Sequence, residues 1–185
     1  MNRLWGLLCV LISIHAAAAA FNVPVPDKSN ISFVSRQMGV AVTGGFSKFT
    51  SQISFDPARP ETGRARIDVA LASVNAGSSD ANDEVKSKAW FDVKTWPTAS
   101  FVSNGIKALG GNRYQASGKL IIKGKSRDVV VPFRVSNTGR LLIVDGAIPI
   151  SRTQYGIGAG EWADPSVVAD AVQIRFHLTL GASRT

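Results

Sequence analysis

A hydrophobic period of two limits this chain more than any other feature. Its clearest case is the last segment, where Asp170, Val172, Ile174, Phe176, Leu178 and Leu180 share one parity while Ala171, Gln173, Arg175, His177 and Thr179 share the other. Only an extended strand places every second side chain on a common face, so such a segment buries one side and wets the other. The same alternation sets Ala65, Ile67, Val69 and Leu71 against Arg64, Arg66, Asp68 and Ala70, and it continues through Val129, Val131, Phe133 and Val135. Short runs of this kind, separated by Gly, Asn, Asp and Pro, specify antiparallel β structure.

Residues 117–136 read as a hairpin with its turn at Gly124 and Lys125. Between Val40 and Phe55 the parity slips, with Val40, Val42 and Phe46 even and Phe49, Ile53 and Phe55 odd, so a bulge or bend is expected at residues 44–48. One helix is expected, over about residues 80–89. Ser79 or Asp80 would cap it, Asp83 and Glu84 would suit its N-terminal dipole, and Glu84 and Lys88 would pair across one turn. Trp90, Phe91, Trp96 and Pro97 end it. About eight strands, without βαβ alternation, internal repeat or linker, predict one all-β domain over residues 21–185, an antiparallel barrel or sandwich.

Residues 1–20 have the form of a secretory signal peptide. Asn2 and Arg3 make a short polar start, Leu4 to Ile14 is apolar but too short to span a bilayer, and Ala16 to Ala20 supply small residues before a cleavage site at Phe21. Export to the periplasm follows as an expectation. Cleavage would remove Cys9 and His15, leaving His177 as the remaining histidine and a formal charge of +7, down from the +8 of the whole chain by the loss of Arg3.

That inventory removes most familiar catalysis. A nucleophilic triad would need His177, which sits on the polar face of a strand, and no thiol remains to act as a nucleophile. A zinc site needs several Cys, His or carboxylate ligands converging, so neither a catalytic nor a metal residue is expected. Asp80, Asp83 and Glu84 fit a helix start better than a metal loop. Glu161, Asp164 and Asp170, near Arg152, fit a solvated loop. Gly156, Gly158 and Gly160 lack the strand–glycine–helix context of a dinucleotide site and mark instead a bend at a barrel rim. Phenylalanines distributed over nearly every element leave two options, a filled barrel interior or one that holds a small apolar ligand.

Several segments in order resemble the YceI-like family of exported, lipocalin-like proteins described as polyisoprenoid-binding. They are Ile31 and Phe33, Gly44 to Phe46, Phe49 with Ile53, Phe55 and Asp56, then Phe91-Asp92-Val93, Trp96-Pro97, Phe101 and Ser103. Gly118-Lys119-Leu120, Lys123-Gly124, and Arg152 with Tyr155-Gly156-Ile157 complete the likeness. The run from Gly156 to Asp164 looks most like a branch associated with membrane b-type cytochromes. The resemblance implies a lipocalin-like antiparallel barrel of about eight strands with one short helix, whose lumen takes an isoprenoid tail; with the residue inventory arguing against catalysis, neither enzymatic activity nor a cofactor is expected. In many members a histidine follows the first strand; Gln37 stands there in this chain, so no contact assigned to that histidine carries over.

On this reading the protein is an exported carrier or reservoir for a polyprenyl lipid or an isoprenoid quinone. The tail would lie against Phe33, Phe46, Phe49, Phe101 and Trp90 or Trp96, with Arg152, Tyr155 and Trp162 at the rim or head group. The basic exterior suggests a membrane surface as a partner and argues for no nucleic acid in an exported chain. The alternative is a ligand-free subunit that docks on a membrane b-type cytochrome through its Trp162 segment.

Overall fold

In a computed structural model, residues 21–183 are described, and the expected signal peptide lies outside them. The elements in chain order are β1 (Phe21–Pro24), β2 (Asn30–Gln37), β3 (Val40–Phe46), β4 (Phe49–Ser54), β5 (Arg64–Ala70), β6 (Val74–Asn75), α1 (Ser79–Lys86), β7 (Thr98–Gly110), β8 (Arg113–Ile122), β9 (Lys125–Thr138), β10 (Leu141–Ser151) and β11 (Ala171–Ala182). All strands belong to one antiparallel sheet in the order β4-β5-β7-β8-β9-β10-β11-β2-β3-β6. The eleven strands among the described residues exceed the eight or so expected in part because two short pieces, β1 and β6, join the sheet.

β1 curls that sheet. It pairs with β11, and Phe21 exchanges backbone hydrogen bonds with Phe55 at 2.9 and 3.1 Å, just past β4 and so far along the strand order. The result is a half-barrel of the lipocalin-like kind, with one face of each strand inside. The alternation places that face as expected, since Ile67, Val131, Phe133, Val172, Ile174 and Phe176 all face the interior cavity.

The parity slip takes the form of a bend, one of the two forms expected at residues 44–48. β3 and β4 lie far apart in the strand order and share no ladder, so the change of parity is a bend at Ser47 and Lys48 where the chain crosses from one flank of the sheet to the other. The hairpin of β8 and β9 is present with its turn one residue earlier, at Lys123 and Gly124, whose φ angles of +50° and +71° suit a two-residue turn of the mirror-image kind. The helix is shorter than expected and its cap differs. Ser78 is the cap, its hydroxyl accepting from the Ala81 amide at 3.2 Å, and Lys86 ends the helix, so Asp83 pairs with Lys86 at 3.3 Å in place of a Glu84–Lys88 pair.

Two packed clusters bracket the interior. At one end Phe55, Tyr114 and Phe133 meet with ring centroids 5.2 to 5.9 Å apart, over the fully buried Leu142 and Leu180. At the other, Leu71, Ala99, Ile122, Tyr155 and Ile157 pack with Trp90, Phe91 and Val93. Close strand contact depends on small residues here. A Cβ on Gly118 would collide with the Val102 carbonyl and stand 2.9 Å from the Phe101 ring, whereas one on Gly105 meets nothing within 4 Å. Gly118→Ala should therefore lower stability by about 1–3 kcal/mol through overpacking, while Gly105→Ala stays within about 0.5 kcal/mol of wild type, as read from urea midpoints.

Candidate ligand-binding site

Between the two clusters the barrel keeps a cavity of about 220 Å³. This exceeds the roughly 150 Å³ at which an apolar protein cavity stays dry and accepts a benzene-sized guest. Its walls are aliphatic and aromatic side chains from the inner faces of nearly every long strand, with Val85 of α1 and the Trp90–Phe91 pair closing one side. Among lining residues only Ser35, Ser100, Arg152 and the Trp90 indole bring polar side-chain atoms. Ser100 already donates to Asp68 at 2.6 Å. Such a surface offers an occupant dispersion and removal from water, with almost no directional contact.

Arg152 organises the end of the barrel beyond the cavity. It is 1% exposed, and no carboxylate lies within 4 Å of its guanidinium among the described residues. Instead, Nε donates to the Ala169 carbonyl at 3.2 Å, Nη1 to Ile157 and Gly158 at 2.9 Å each, and Nη2 to Trp162 at 2.6 Å and Val168 at 2.7 Å. A guanidinium has five N–H donors, and all five are taken. One side chain thus gathers residues 157–169 into a strap across the barrel end, which Gly158 and Ala159 extend by donating their amides to the Ala89 carbonyl at 2.9 Å. Gly158, at φ +71°, has no room for a Cβ beside Arg152 Nη1.

Charge around the strap follows from this packing. Burial lowers the Arg152 pKa from its ordinary value, against the opposing pull of Asp170. Burial raises Asp170, but hydrogen bonds from Ser151 and Thr153 and the Arg152 charge outweigh it, leaving the carboxyl below the usual range. Burial also pushes the Tyr155 hydroxyl up, the Arg127 charge opposing it. The loop acids make local turns, Asp164 accepting from the Ser166 amide and hydroxyl at 2.8 and 2.7 Å.

The structure brings together five of the nine residues expected to hold a ligand. Phe33, Phe46, Trp90, Phe101 and Arg152 line the cavity. Phe49 does not; it packs against the cluster around Phe55 from the sheet flank. Trp96 is 41% exposed and lies over the Gly124 turn, outside the lumen. Tyr155 is 2% exposed within the cluster around Leu71 and beneath the Arg127 guanidinium at 5.9 Å, and Trp162 packs on the Trp90 ring with centroids 5.7 Å apart, outside the cavity lining. Arg152 reaches the cavity with no N–H to spare, so its part is to hold the strap. Val85, Ile150 and Ile157 are lining residues that sequence reasoning missed; Val85 comes from the helix and Ile157 from the strap, where no period-two signal marks an inner face, and Ile150 lies near the end of β10. Gln37 is exposed at the tip of the β2–β3 turn. His177, its Nδ1 2.6 Å from Asp145, is on the outer face. The described residues hold no cluster of three or more potential metal ligands.

One polar feature is unresolved by the protein itself. The Nε1 atoms of Trp90 and Trp162 are buried without an acceptor. A buried N–H left unpaired carries a desolvation penalty of about 1–3 kcal/mol, so the Trp90 N–H, on a residue that lines the cavity, favours an occupant that brings an oxygen.

A curled antiparallel sheet around an apolar lumen, closed at one end by aromatic packing and strapped at the other, defines a lipocalin-like binding barrel. The YceI-like domain family matches residues 24–180, and the chain belongs to that family. Its structure is similar to that of BcnA from Burkholderia cenocepacia, with a TM-score of 0.83 and 47% identity over 84% of this chain and 98% of that one. It is also similar in fold to a polyisoprenoid binding domain from Saccharophagus degradans implicated in plant cell wall breakdown, with a TM-score of 0.66 and 18% identity over 90% of this chain and all of that one. A UPF0312 protein of Azotobacter vinelandii is 30% identical over 97 residues, 52% of this chain and 50% of that protein, so the chain spans about half the length of this curated relative.

Arg152→Met preserves much of the side-chain volume while leaving five carbonyls without their donor. It should cost about 3 kcal/mol or more in urea unfolding and raise amide hydrogen exchange across residues 157–169. Unchanged exchange there would show that the strap holds by other contacts.

Proposed function

We propose that this protein is a periplasmic carrier or reservoir for an isoprenoid lipid, held by its tail in the barrel lumen. The observation that carries this reading is the cavity wall, which is hydrocarbon from the Phe133 cluster to Phe91. Burying one five-carbon isoprene unit from water contributes about 3–4 kcal/mol at roughly 0.8 kcal/mol per methylene, before ordering costs. A tail drawn from a bilayer is already shielded, so exchange is close to balance and suits a carrier better than a tight sink. The name of the Saccharophagus domain, which records polyisoprenoid binding for that protein, points the same way.

An isoprenoid quinone suits the site better than a pure hydrocarbon. A quinone carbonyl near Trp90 gives its N–H an acceptor that the protein does not supply. Arg152, with its donors spent on the strap, adds only its charge, 5.8 Å from the Trp90 ring. The alternative, a packed and ligand-free subunit of a membrane b-type cytochrome system, gains nothing from an open cavity.

Native mass spectrometry of freshly purified protein, followed by solvent extraction, should reveal a prenyl lipid. Ala65→Trp places an indole into the lumen and should reduce uptake of an added prenyl quinone by delipidated protein more than tenfold. A wild-type protein that yields no lipid and takes up none contradicts the proposal.

A further inference from the structure

Cations gather at the strapped end of the barrel. Residues 86–96 carry Lys86, Lys88 and Lys94, residues 123–127 carry Lys123, Lys125 and Arg127, and Asp92 is the sole carboxylate in the two stretches. The fold joins these stretches into one surface. Lys123 Nζ donates to the Lys88 carbonyl at 2.8 Å and to the Gly156 carbonyl at 2.9 Å, and the Trp96 ring lies directly over Gly124. Lys86 is paired with Asp83, and Arg127 donates to the Gln154 carbonyl. Lys88, Lys94 and Lys125 are exposed and have no carboxylate within 4 Å among the described residues.

Large apolar side chains stand exposed at the same end. Trp96 is 41% exposed, Met38 73% and Val40 67%. Met38 occupies a β2–β3 turn position at φ +48°, where Asn or Gly is the usual residue, so neither backbone preference nor burial accounts for a methionine there. This turn is tied to the strap, the Met38 amide donating to the Val167 carbonyl at 2.8 Å next to the Val168 carbonyl that Arg152 holds. The surface therefore combines unpaired lysines with an amphipathic indole and exposed aliphatic tips, the pairing that suits the polar–apolar boundary of an anionic bilayer.

We propose that the strapped end of the barrel docks on an anionic lipid bilayer, with Trp96, Met38 and Val40 entering the headgroup layer and Lys88, Lys94 and Lys125 meeting lipid phosphates. Trp90, Phe91 and Ile157, which line the cavity, belong to this end, so docking turns the lumen toward the membrane. The opposite end is also basic, with Lys107, Arg113, Arg134 and Arg140, but its exposed large apolar side chains, Leu109 and Val23, include no aromatic ring, and the Phe55 cluster closes it. The orientation draws its purpose from the lipid-carrier reading, while the charge and exposure stand without it.

Co-sedimentation of the mature chain with vesicles tests this, using phosphatidylcholine alone and phosphatidylcholine mixed with phosphatidylglycerol. Wild type should bind the mixed vesicles, bind the neutral ones weakly, and lose binding as salt rises. The triple variant Lys88→Gln, Lys94→Gln, Lys125→Gln should lose about a hundredfold, at about fivefold per cation, and Trp96→Ala should also weaken binding. A variant of the opposite end, Lys107→Gln, Arg113→Gln, Arg140→Gln, should keep binding within about twofold of wild type if the strapped end is the contact. Equal binding to neutral vesicles, no binding by wild type, or an equal loss in the opposite-end variant overturns the proposal. Solvent extraction of each variant separates the two claims: lost docking with unchanged lipid content supports the surface, and selective docking by a wild-type protein that holds no lipid supports it while refuting the carrier reading.

Discussion

One buried guanidinium sets the terms for the rest of the molecule. A cation placed at 1% exposure without a counter-charge is costly unless its donors are satisfied, and Arg152 meets that demand with five backbone carbonyls drawn from a segment that otherwise has little regular structure. The same bonds satisfy the carbonyls, so the strap and the charge stabilise each other. Three glycines at positive φ let the chain turn tightly enough to aim those carbonyls inward. Because the barrel end is closed by backbone polarity wrapped around a single side chain, the hydrocarbon side chains nearby are free to face the lumen.

The cavity is the consequence. A half-barrel whose inner positions are Ile, Val, Leu and Phe can either pack solid or leave space, and the aromatic trio Phe55, Tyr114 and Phe133 fills only one end. In the middle, inward residues from β5, β8, β9 and β11 stop short of contact across the lumen. The wall recognises an apolar chain and little else. Near Trp90, at the strapped end, an indole N–H is buried with no partner in the protein.

How much of this the sequence discloses follows from which residues carry a periodic signal. The inner faces of β5 and β11 are legible because Ile67 and Ile174 each stand between polar neighbours, whereas Val131 of β9 lies between Val130 and Pro132 and its parity shows only through Phe133 and Val135 further along. The parity slip near Phe46 is legible as an event but not as a crossing between sheet flanks, since that depends on which strands pair at long range. Site residues divide the same way. Phe33, Phe46 and Phe101 lie on strands and could be placed; Trp96 and Tyr155 lie in turns, where exposure depends on contacts with Gly124 and Arg127 that spacing does not encode. Arg152 was recognisable as special, but its carbonyl partners are backbone atoms and leave no trace in residue identity.

If the lumen holds an isoprenoid tail, affinity must depend on tail length. Calorimetric titration of delipidated protein with prenyl compounds that share one head group and differ in the number of isoprene units measures this directly. The account predicts that affinity rises with each added unit until the lumen is filled and then levels off, with a negative heat-capacity change marking apolar burial. Affinity that is independent of tail length, or binding governed by the head group alone, would contradict it.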